Sequence, residues 1–496
     1  MVNTYGMSAE AQSRRHLVDG AVRVFVGEAL FFPTGLLVVA FLTRRLGPEG
    51  YGVLALVMAP VLWVEWSVAA LFARATVKLT GDAGDWRPAG GAIVRLHLVV
   101  GVLAALLLVL LADLAATLLG EPTLAGYLRL FAVDIPLVTV VHAHRSLLVG
   151  VGGFRSRALA AAVRWIARLL LVVALVEMGL SIAGAILGSI GASLVELAVV
   201  RTAIRPPLFG RGSLRVGQLW SYATPLFVSA VSLRLLERLD LFMLKVLGAP
   251  TQVAGHYGAA ANLSFAPKIF ALSLSSLLLA TLSQLLRAGR RQAAAALARD
   301  AQRAALALLP LAGLAAGAAP ELVALIFGAG YAPSAPLVAI LLLSAVASVQ
   351  ISVSTAVLVG VGKPKWTAWI AWPLVPMAAA GHWLAIPRFG AAGAATVTSA
   401  CAGLGAAAGM LAVRRVAGVA PPLATFGRSA VLTVGGYLVA AAWPTSGAGV
   451  LIKLGVLVAA AAVGFLVLGE AGAGAWRLIW PALLRQAPNA GERGSQ

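Results

Sequence analysis

The chain is poor in charge, poorer in acid, and nearly devoid of cysteine. Only 11% of its 496 residues are Asp, Glu, Lys or Arg, against about a quarter in an average soluble domain. A soluble protein of this length would form roughly three domains. None of them could hide a sequence that is 60% hydrophobic, with a mean hydropathy of +0.94. That composition excludes a cytosolic enzyme, a secreted disulfide scaffold and a disordered chain. The single cysteine, Cys401, allows neither an internal disulfide nor a cysteine-based metal site. No Gly-rich phosphate loop of the P-loop type is present, so direct ATP hydrolysis is not expected. The six histidines are His16, His97, His142, His144, His256 and His382. His142 and His144 are two apart and so lie on different helix faces, a poor metal arrangement. Neither a metal nor a cofactor is expected.

Lys and Arg number 38 against 18 Asp and Glu, a net charge of +20. A basic balance can signal nucleic acid. Here the cations sit between apolar runs, which is the pattern of loops facing an anionic inner leaflet. No nucleic-acid partner is expected.

A helix needs about 20 apolar residues to cross roughly 30 Å of hydrocarbon. Fourteen segments qualify: 20–43, 52–76, 93–119, 124–149, 157–178, 180–202, 218–246, 252–285, 300–327, 334–360, 366–386, 391–413, 426–443 and 449–469, followed by an amphipathic stretch at 474–485. The first segment is too long for a cleaved signal peptide and reads as a retained start-transfer helix. With the N-terminus cytoplasmic, 29 of the 38 cations fall at cytoplasmic ends, Arg145, Arg157, Arg164 and Arg168 among them. Six fall on the opposite side: Arg44, Arg45, Arg129, Lys245, Arg388 and Lys453. This asymmetry places both termini in the cytoplasm. All connections are short, which leaves no room for a soluble catalytic domain.

The sequence repeats itself. Leu148-Val149-Gly150-Val151-Gly152 recurs as Leu358-Val359-Gly360-Val361-Gly362, an offset of 210. Ala183-Gly184-Ala185 recurs as Ala392-Gly393-Ala394, an offset of 209. Arg45-Leu46-Gly47 with Tyr51-Gly52 is echoed by Lys245-Val246-Leu247-Gly248 with Tyr257-Gly258. Each repeat holds an even number of spans, so both enter the membrane the same way round. This is a parallel repeat, related by an axis along the membrane normal. The expected organisation is an N-terminal tail (1–16), an N-lobe (17–205), a C-lobe (206–417), two further spans with the amphipathic end (418–485), and a disordered cytoplasmic tail (486–496).

The same landmarks carry a family likeness. Leu42-Thr43-Arg44-Arg45-Leu46-Gly47-Pro48-Glu49-Gly50-Tyr51-Gly52 resembles the signature of polysaccharide-type flippases. These belong to the multidrug/oligosaccharidyl-lipid/polysaccharide exporter superfamily. Leu239-Asp240, and Gly255-His256-Tyr257-Gly258-Ala259-Ala260, are similar to that family's second-half landmark. Phe327-Gly328-Ala329-Gly330-Tyr331-Ala332-Pro333 and Phe389-Gly390-Ala391-Ala392-Gly393 resemble the stretches before its tenth helix and at the start of its twelfth. The likeness spans residues 17–416. It implies an all-α polytopic fold of two pseudo-symmetric six-helix lobes in a V, like that of the MATE exporters, plus two C-terminal helices. It further implies a flippase that moves a polyprenyl-diphosphate-linked oligosaccharide, such as an O-antigen or lipopolysaccharide precursor, across the inner membrane. Its partners would be that glycan lipid, membrane lipids and other polysaccharide-assembly membrane proteins.

Charges inside hydrocarbon cost roughly 2.5–3.5 kcal/mol each on insertion scales and normally face a cavity or a partner. A diphosphate draws Arg and Lys. The candidate cavity cations are Arg23, Arg74 and Lys78 near cytoplasmic span ends, Arg234 and Arg238 in the seventh span, and Lys268 in the eighth. Snorkelling to the anionic interface accounts equally for the first three. Arg234, Glu237, Arg238 and Asp240 sum to zero and read also as mutual neutralisation. Lys268 has no acid within four residues. Candidate ion- or proton-coupling acids are Glu28, Glu65 and Asp134, since a buried carboxylate readily exchanges a proton; structural ion pairing is the plainer reading of each.

Two neighbours share the architecture, a lipid II-type flippase and a cation-coupled multidrug exporter. A membrane polysaccharide polymerase or ligase would be expected to carry a large external loop bearing Arg and His, which this sequence lacks. A pure scaffold would not need intramembrane cations.

Overall fold

The computed structural model describes residues 27–81, 85–207, 235–236 and 238–468; at 69–75, 77–81, 272–273, 276–277 and 280 it describes the backbone alone. Among the described residues all regular structure is helical. In chain order the helices are α1 (Phe31–Gly81), α2 (Arg87–Leu118), α3 (Leu124–Ala132), α4 (Asp134–Gly150), α5 (Phe154–Leu175), α6 (Ser181–Ala203), α7 (Leu239–Val246) and α8 (Thr251–Leu263). They continue as α9 (Ala266–Arg287), α10 (Arg291–Leu306), α11 (Leu309–Gly317), α12 (Ala319–Phe327), α13 (Ala335–Gly360), α14 (Lys365–Ala417), α15 (Leu423–Ala442) and α16 (Gly449–Val467).

Among the described residues, eight helical runs are long and apolar enough to cross a membrane, and a ninth is formed if the pair Arg291–Gly317 and Ala319–Phe327, bent by 69°, is one span. The protein is a multi-pass, all-helical membrane protein. Three runs are far longer than one crossing requires: Gly27–Val68 with 42 residues, Phe154–Ala203 with 50 and Lys365–Ala417 with 53. Each is interrupted by a glycine at positive φ, Gly47 (66°), Gly179 (90°) and Gly390 (55°), a conformation L side chains rarely adopt. The helix breaks at each of these points, and at Gly179 and Gly390 the chain reverses. A Cβ on Gly188 would lie 2.7 Å from Val172 N, and one on Gly393 2.6 Å from Ala385 O. The arms on either side of Gly179 and Gly390 thus lie along one another as tight hairpins. The breaks fall where the hydropathy reading separates 20–43 from 52–76, 157–178 from 180–202 and 366–386 from 391–413. The expected span 218–246, apart from its last residues, lies outside the described residues.

Two compact units are resolved. The first comprises Met1–Leu263, Ile326–Leu337 and Ala371–Val397, and the second Ser264–Leu325, Val338–Ile370 and Thr398–Gln496. In the first, Ile93 and Val94 of α2, Ala143 and Leu147 of α4, Ala160 of α5 and Val200 of α6 form one buried apolar cluster. In the second, Leu278 and Leu282 of α9, Ala298 and Ala305 of α10, Val353 and Val357 of α13, and Val413 of α14 form another. Within that unit α15 lies against α11, with Gly313 and Gly317 facing the Thr433 and Tyr437 carbonyls. Lys453 of α16 is buried and donates to Glu321 Oε1 of α12 at 2.6 Å.

Large apolar residues also face outward. Leu103, Leu106, Leu107, Leu110 and Leu114 form an exposed stripe on α2 at helical spacing. In water such a stripe would be an association surface; in a bilayer it meets acyl chains.

Candidate functional site

The first unit contains a chain of buried and half-buried ions that draws on five segments. Glu65 comes from α1, Asp134 and Arg145 from α4, Arg157, Arg164 and Arg168 from α5, and Glu196 from α6, with Glu28 preceding α1. The α5 arginines at i, i+7 and i+11 share one face of the helix. Arg164 and Arg168 lie ten and fourteen residues beyond the start of α5, or roughly 15 and 21 Å along it at 1.5 Å per residue. The charge count assigns both to a cytoplasmic span end; in the structure they stand three to four turns into the helix, where they meet Glu196 and Ser189 of α6.

Glu196, whose side chain is 0% exposed, accepts from Arg145 Nε at 2.5 Å and from Arg164 Nη1 at 3.2 Å. Glu28 lies 3.4 Å from Arg157 and 3.7 Å from Arg145. The ions thus run Arg157, Glu28, Arg145, Glu196, Arg164 without a gap. Beyond Arg164, Asp134 and Glu65 lie within electrostatic reach of each other and of both Arg164 and Arg168. Arg168 Nε donates to Ser189 Oγ at 3.4 Å. Glu65 Oε1 and Asp134 Oδ1 are buried and have no hydrogen-bond partner among the described residues. Four guanidiniums and four carboxylates balance in charge if all are ionised. Such burial is tolerated because each ion is compensated; removing one partner of a buried pair exposes the other to the full desolvation penalty.

The arrangement grades from one end to the other. At the Glu28–Glu196 end, each carboxylate faces two guanidiniums. At the Glu65–Asp134 end, carboxylate oxygens have spare acceptor capacity and Arg168 is held by a hydroxyl at the long end of hydrogen bonding. A guanidinium presents a planar fork of donors suited to phosphate oxygens, and a carboxylate with an unused acceptor can take up a proton. Tyr51, buried on α1, lies within electrostatic reach of both Arg168 and Arg238.

The expected site residues fare unevenly. Glu65 and Asp134 are brought together, and Glu28 joins the same ion chain. Arg238 is half-buried in the turn that opens α7. Lys268 is half-buried near the start of α9, its ammonium 5.8 Å from the centroid of the Phe265 ring; a search for nearby acids overlooks that aromatic contact three residues upstream. Arg23 and Arg234 lie outside the described residues, and the side chains of Arg74 and Lys78 lie outside the described side chains. Glu196, Arg145, Arg157, Arg164 and Arg168 were not among the expected site residues. Their signal was present: Arg157, Arg164 and Arg168 on one face of a largely apolar helix, and a lone glutamate seven residues before the end of its hairpin partner.

Comparison with known proteins sets this geometry in a family. Residues 41–336 match the family described as polysaccharide biosynthesis protein. No curated protein matches the sequence. Among solved structures, the chain is similar to the lipid II flippase MurJ in an inward closed conformation, with TM-score 0.68 and 14% identity over 91% of this chain and 98% of that one. It is also similar to a MOP superfamily transporter from Pyrococcus furiosus (TM-score 0.61, 15% identity, 81% of this chain and 95% of that one). The bent form of the Vibrio cholerae MATE transporter VcmN aligns with TM-score 0.56 and 17% identity, over 83% of this chain and 98% of that one. The chain belongs to the polysaccharide biosynthesis protein family and has the fold of the multidrug/oligosaccharidyl-lipid/polysaccharide exporter superfamily.

Proposed function

We propose that the protein is a transporter that flips a polyprenyl-diphosphate-linked oligosaccharide from the cytoplasmic to the outer leaflet of the inner membrane by alternating access. The observation that carries this reading is the buried ion chain: guanidiniums roughly 15–21 Å along a helix, in a member of a polysaccharide biosynthesis family. The likeness to a lipid II flippase supports a lipid-linked substrate. In this reading, residues 17–205 and 206–417 form the two lobes, and both termini are cytoplasmic. Arg23, Arg74 and Lys78 draw the diphosphate in from the inner headgroup level. Arg234, Arg238 and Lys268 line its path, and Arg164 and Arg168 join them as cations the sequence reading did not assign. Glu28, Glu65 and Asp134 are the coupling acids, with Glu65 and Asp134 best suited because their oxygens have unused acceptors. The sugars travel in water and the polyprenyl tail stays in lipid. The protein's own chemistry is binding and conformational change rather than catalysis.

Those same acids favour one second reading, a cation-coupled exporter of the same fold. Purified protein in proteoliposomes separates the two. A fluorescent polyprenyl-diphosphate glycan should move to the opposite leaflet, and Glu65→Gln with Asp134→Asn should remove any dependence of that movement on an imposed pH gradient. Export of small cationic drugs with no movement of the glycan lipid would select the second reading.

A further inference from the structure

The second unit gathers positive charge at one end. Arg287, Arg290 and Arg291 surround the turn from α9 to α10, Lys363 and Lys365 the turn from α13 to α14, and Arg414 and Arg415 the end of α14. The three segments are neighbours in space, because the apolar residues beside each of them pack on one buried cluster. Leu286 does so beside the first, Val361 and Trp366 beside the second, and Val416 and Val419 beside the third. A Cβ on Gly360 would lie 3.3 Å from the Leu282 side chain, which seats the second turn against the helix that leads into the first. The seven cations, all of them exposed, share one rim.

No acid balances this rim. Residues 284–293, 358–368 and 411–424 contain neither Asp nor Glu, and among the described residues none of the seven cations is ion-paired. The first unit treats its cations differently. Arg145, Arg157 and Arg164, which the cation count assigns to the same membrane face, are held by Glu28 and Glu196.

Helix dipoles do not account for the rim. A helix end favours a cation, and a helix start favours an acid. Arg287, Arg414 and Arg415 stand at helix ends, as that rule expects. Arg290 and Arg291 open α10 and Lys365 opens α14, and neither helix has an acid in its first turn. Those cations oppose the dipole they sit on as well as one another. Membrane orientation requires an excess of cations on this side, but it does not require them at helix starts or on a single rim. A bound anion relieves both repulsions.

Trp369 indicates where the anion comes from. It follows Lys365 by one helical turn, about 6 Å along α14, and is 76% exposed. An indole at that depth suits the boundary between headgroups and acyl chains. A phospholipid supplies both contacts at once, a phosphate for the ammonium and guanidinium groups and an acyl chain for the ring.

We propose that this rim is a binding surface for the phosphate headgroups of anionic bilayer phospholipids, taken in preference to zwitterionic ones. The test reads lipid preference and not export. The full-length protein is reconstituted in phosphatidylcholine vesicles with a minor fraction of phosphatidylglycerol, and bromine is placed on the acyl chains of one lipid or the other at equal mole fraction. The fluorescence that Trp369→Phe removes is the share of Trp369. Brominated phosphatidylglycerol should quench that share several-fold more than brominated phosphatidylcholine. The combined Lys363→Gln, Lys365→Gln, Arg414→Gln and Arg415→Gln variant should lose the excess, whereas Lys363→Arg with Lys365→Arg should keep it. In the parent, salt that shortens the Debye length to about 3 Å should remove most of the excess, a readout that needs no variant to fold. Inorganic phosphate at matched ionic strength should leave it intact. Equal quenching by the two lipids in the parent would overturn the proposal. So would an excess that survives both the Gln variant and salt, or displacement by inorganic phosphate, which would make the occupant a free anion.

Discussion

Glu196 holds two guanidiniums at once, and its replacement is the sharpest single test of the buried ion chain. Glu196→Gln keeps the shape but leaves Arg145 and Arg164 without their shared counter-charge. Loss of one partner in a buried pair costs about 3–5 kcal/mol, so the thermal midpoint in detergent should fall clearly. Arg129→Gln is the control. Its partner Asp113, at 2.5 Å, is exposed, and an exposed pair contributes about 0–1 kcal/mol. A similar midpoint for both variants would show that Glu196 does not anchor the chain. At this scale the sequence was half legible. Glu65 and Asp134 stand out because an acid inside an apolar run has few explanations. Arg164 and Arg168 do not, because counting cations by membrane face gives each guanidinium a side but no partner. Their partners, Glu196 for Arg164 and Ser189 for Arg168, lie on the next helix, and only the fold brings them near.

At the scale of elements, the hairpin of α5 and α6 depends on small residues where backbones meet. Gly188→Leu would drive a side chain into the Val172 backbone, which a Cβ alone would approach to 2.7 Å. The Gly188→Leu protein should fail to reach a monodisperse state on size exclusion in detergent, whereas Gly435→Ala, with nothing within 4 Å of its added Cβ, should elute as the parent does. Identical elution of the two would mean the hairpin tolerates separation. Hydropathy placed the breaks in the long runs, since a turn needs only a short lapse in apolar residues. It could not say that α5 and α6 pack along their length, because that depends on Gly184 and Gly188 lying on one face, and alanine-rich helices show many such faces. Lys453, which charge counting assigns to a membrane face, is buried against Glu321, a partner the count does not supply. A single cation at the fourth residue beyond a turn gives no hint of a carboxylate 132 positions upstream.

For the whole molecule, the internal repeat and the family signature together made the architecture readable before any coordinates. The repeat landmarks reappear as matched features: Gly47 with Gly248 at turns, and Gly152 with Gly362 at φ 79° each. The cation count predicts a sidedness, with the turn before α8 outside. A cysteine at exposed Gln252, in the Cys401→Ser background, should react with an impermeant maleimide applied outside intact cells; reaction only after permeabilisation would invert the orientation. Chemistry is the remaining question. If buried guanidiniums exist to escort phosphate, transport should depend on headgroup charge. The most direct measurement is leaflet-to-leaflet movement in proteoliposomes of one fluorescent polyprenyl glycan carried on a diphosphate, a monophosphate or a neutral linkage, by the parent and by Arg168→Gln. The diphosphate should move fastest in the parent, the neutral lipid should be left behind, and Arg168→Gln should erase the preference. Equal movement of all three lipids, or a preference unchanged by Arg168→Gln, would contradict a phosphate-escorting role for the buried arginines.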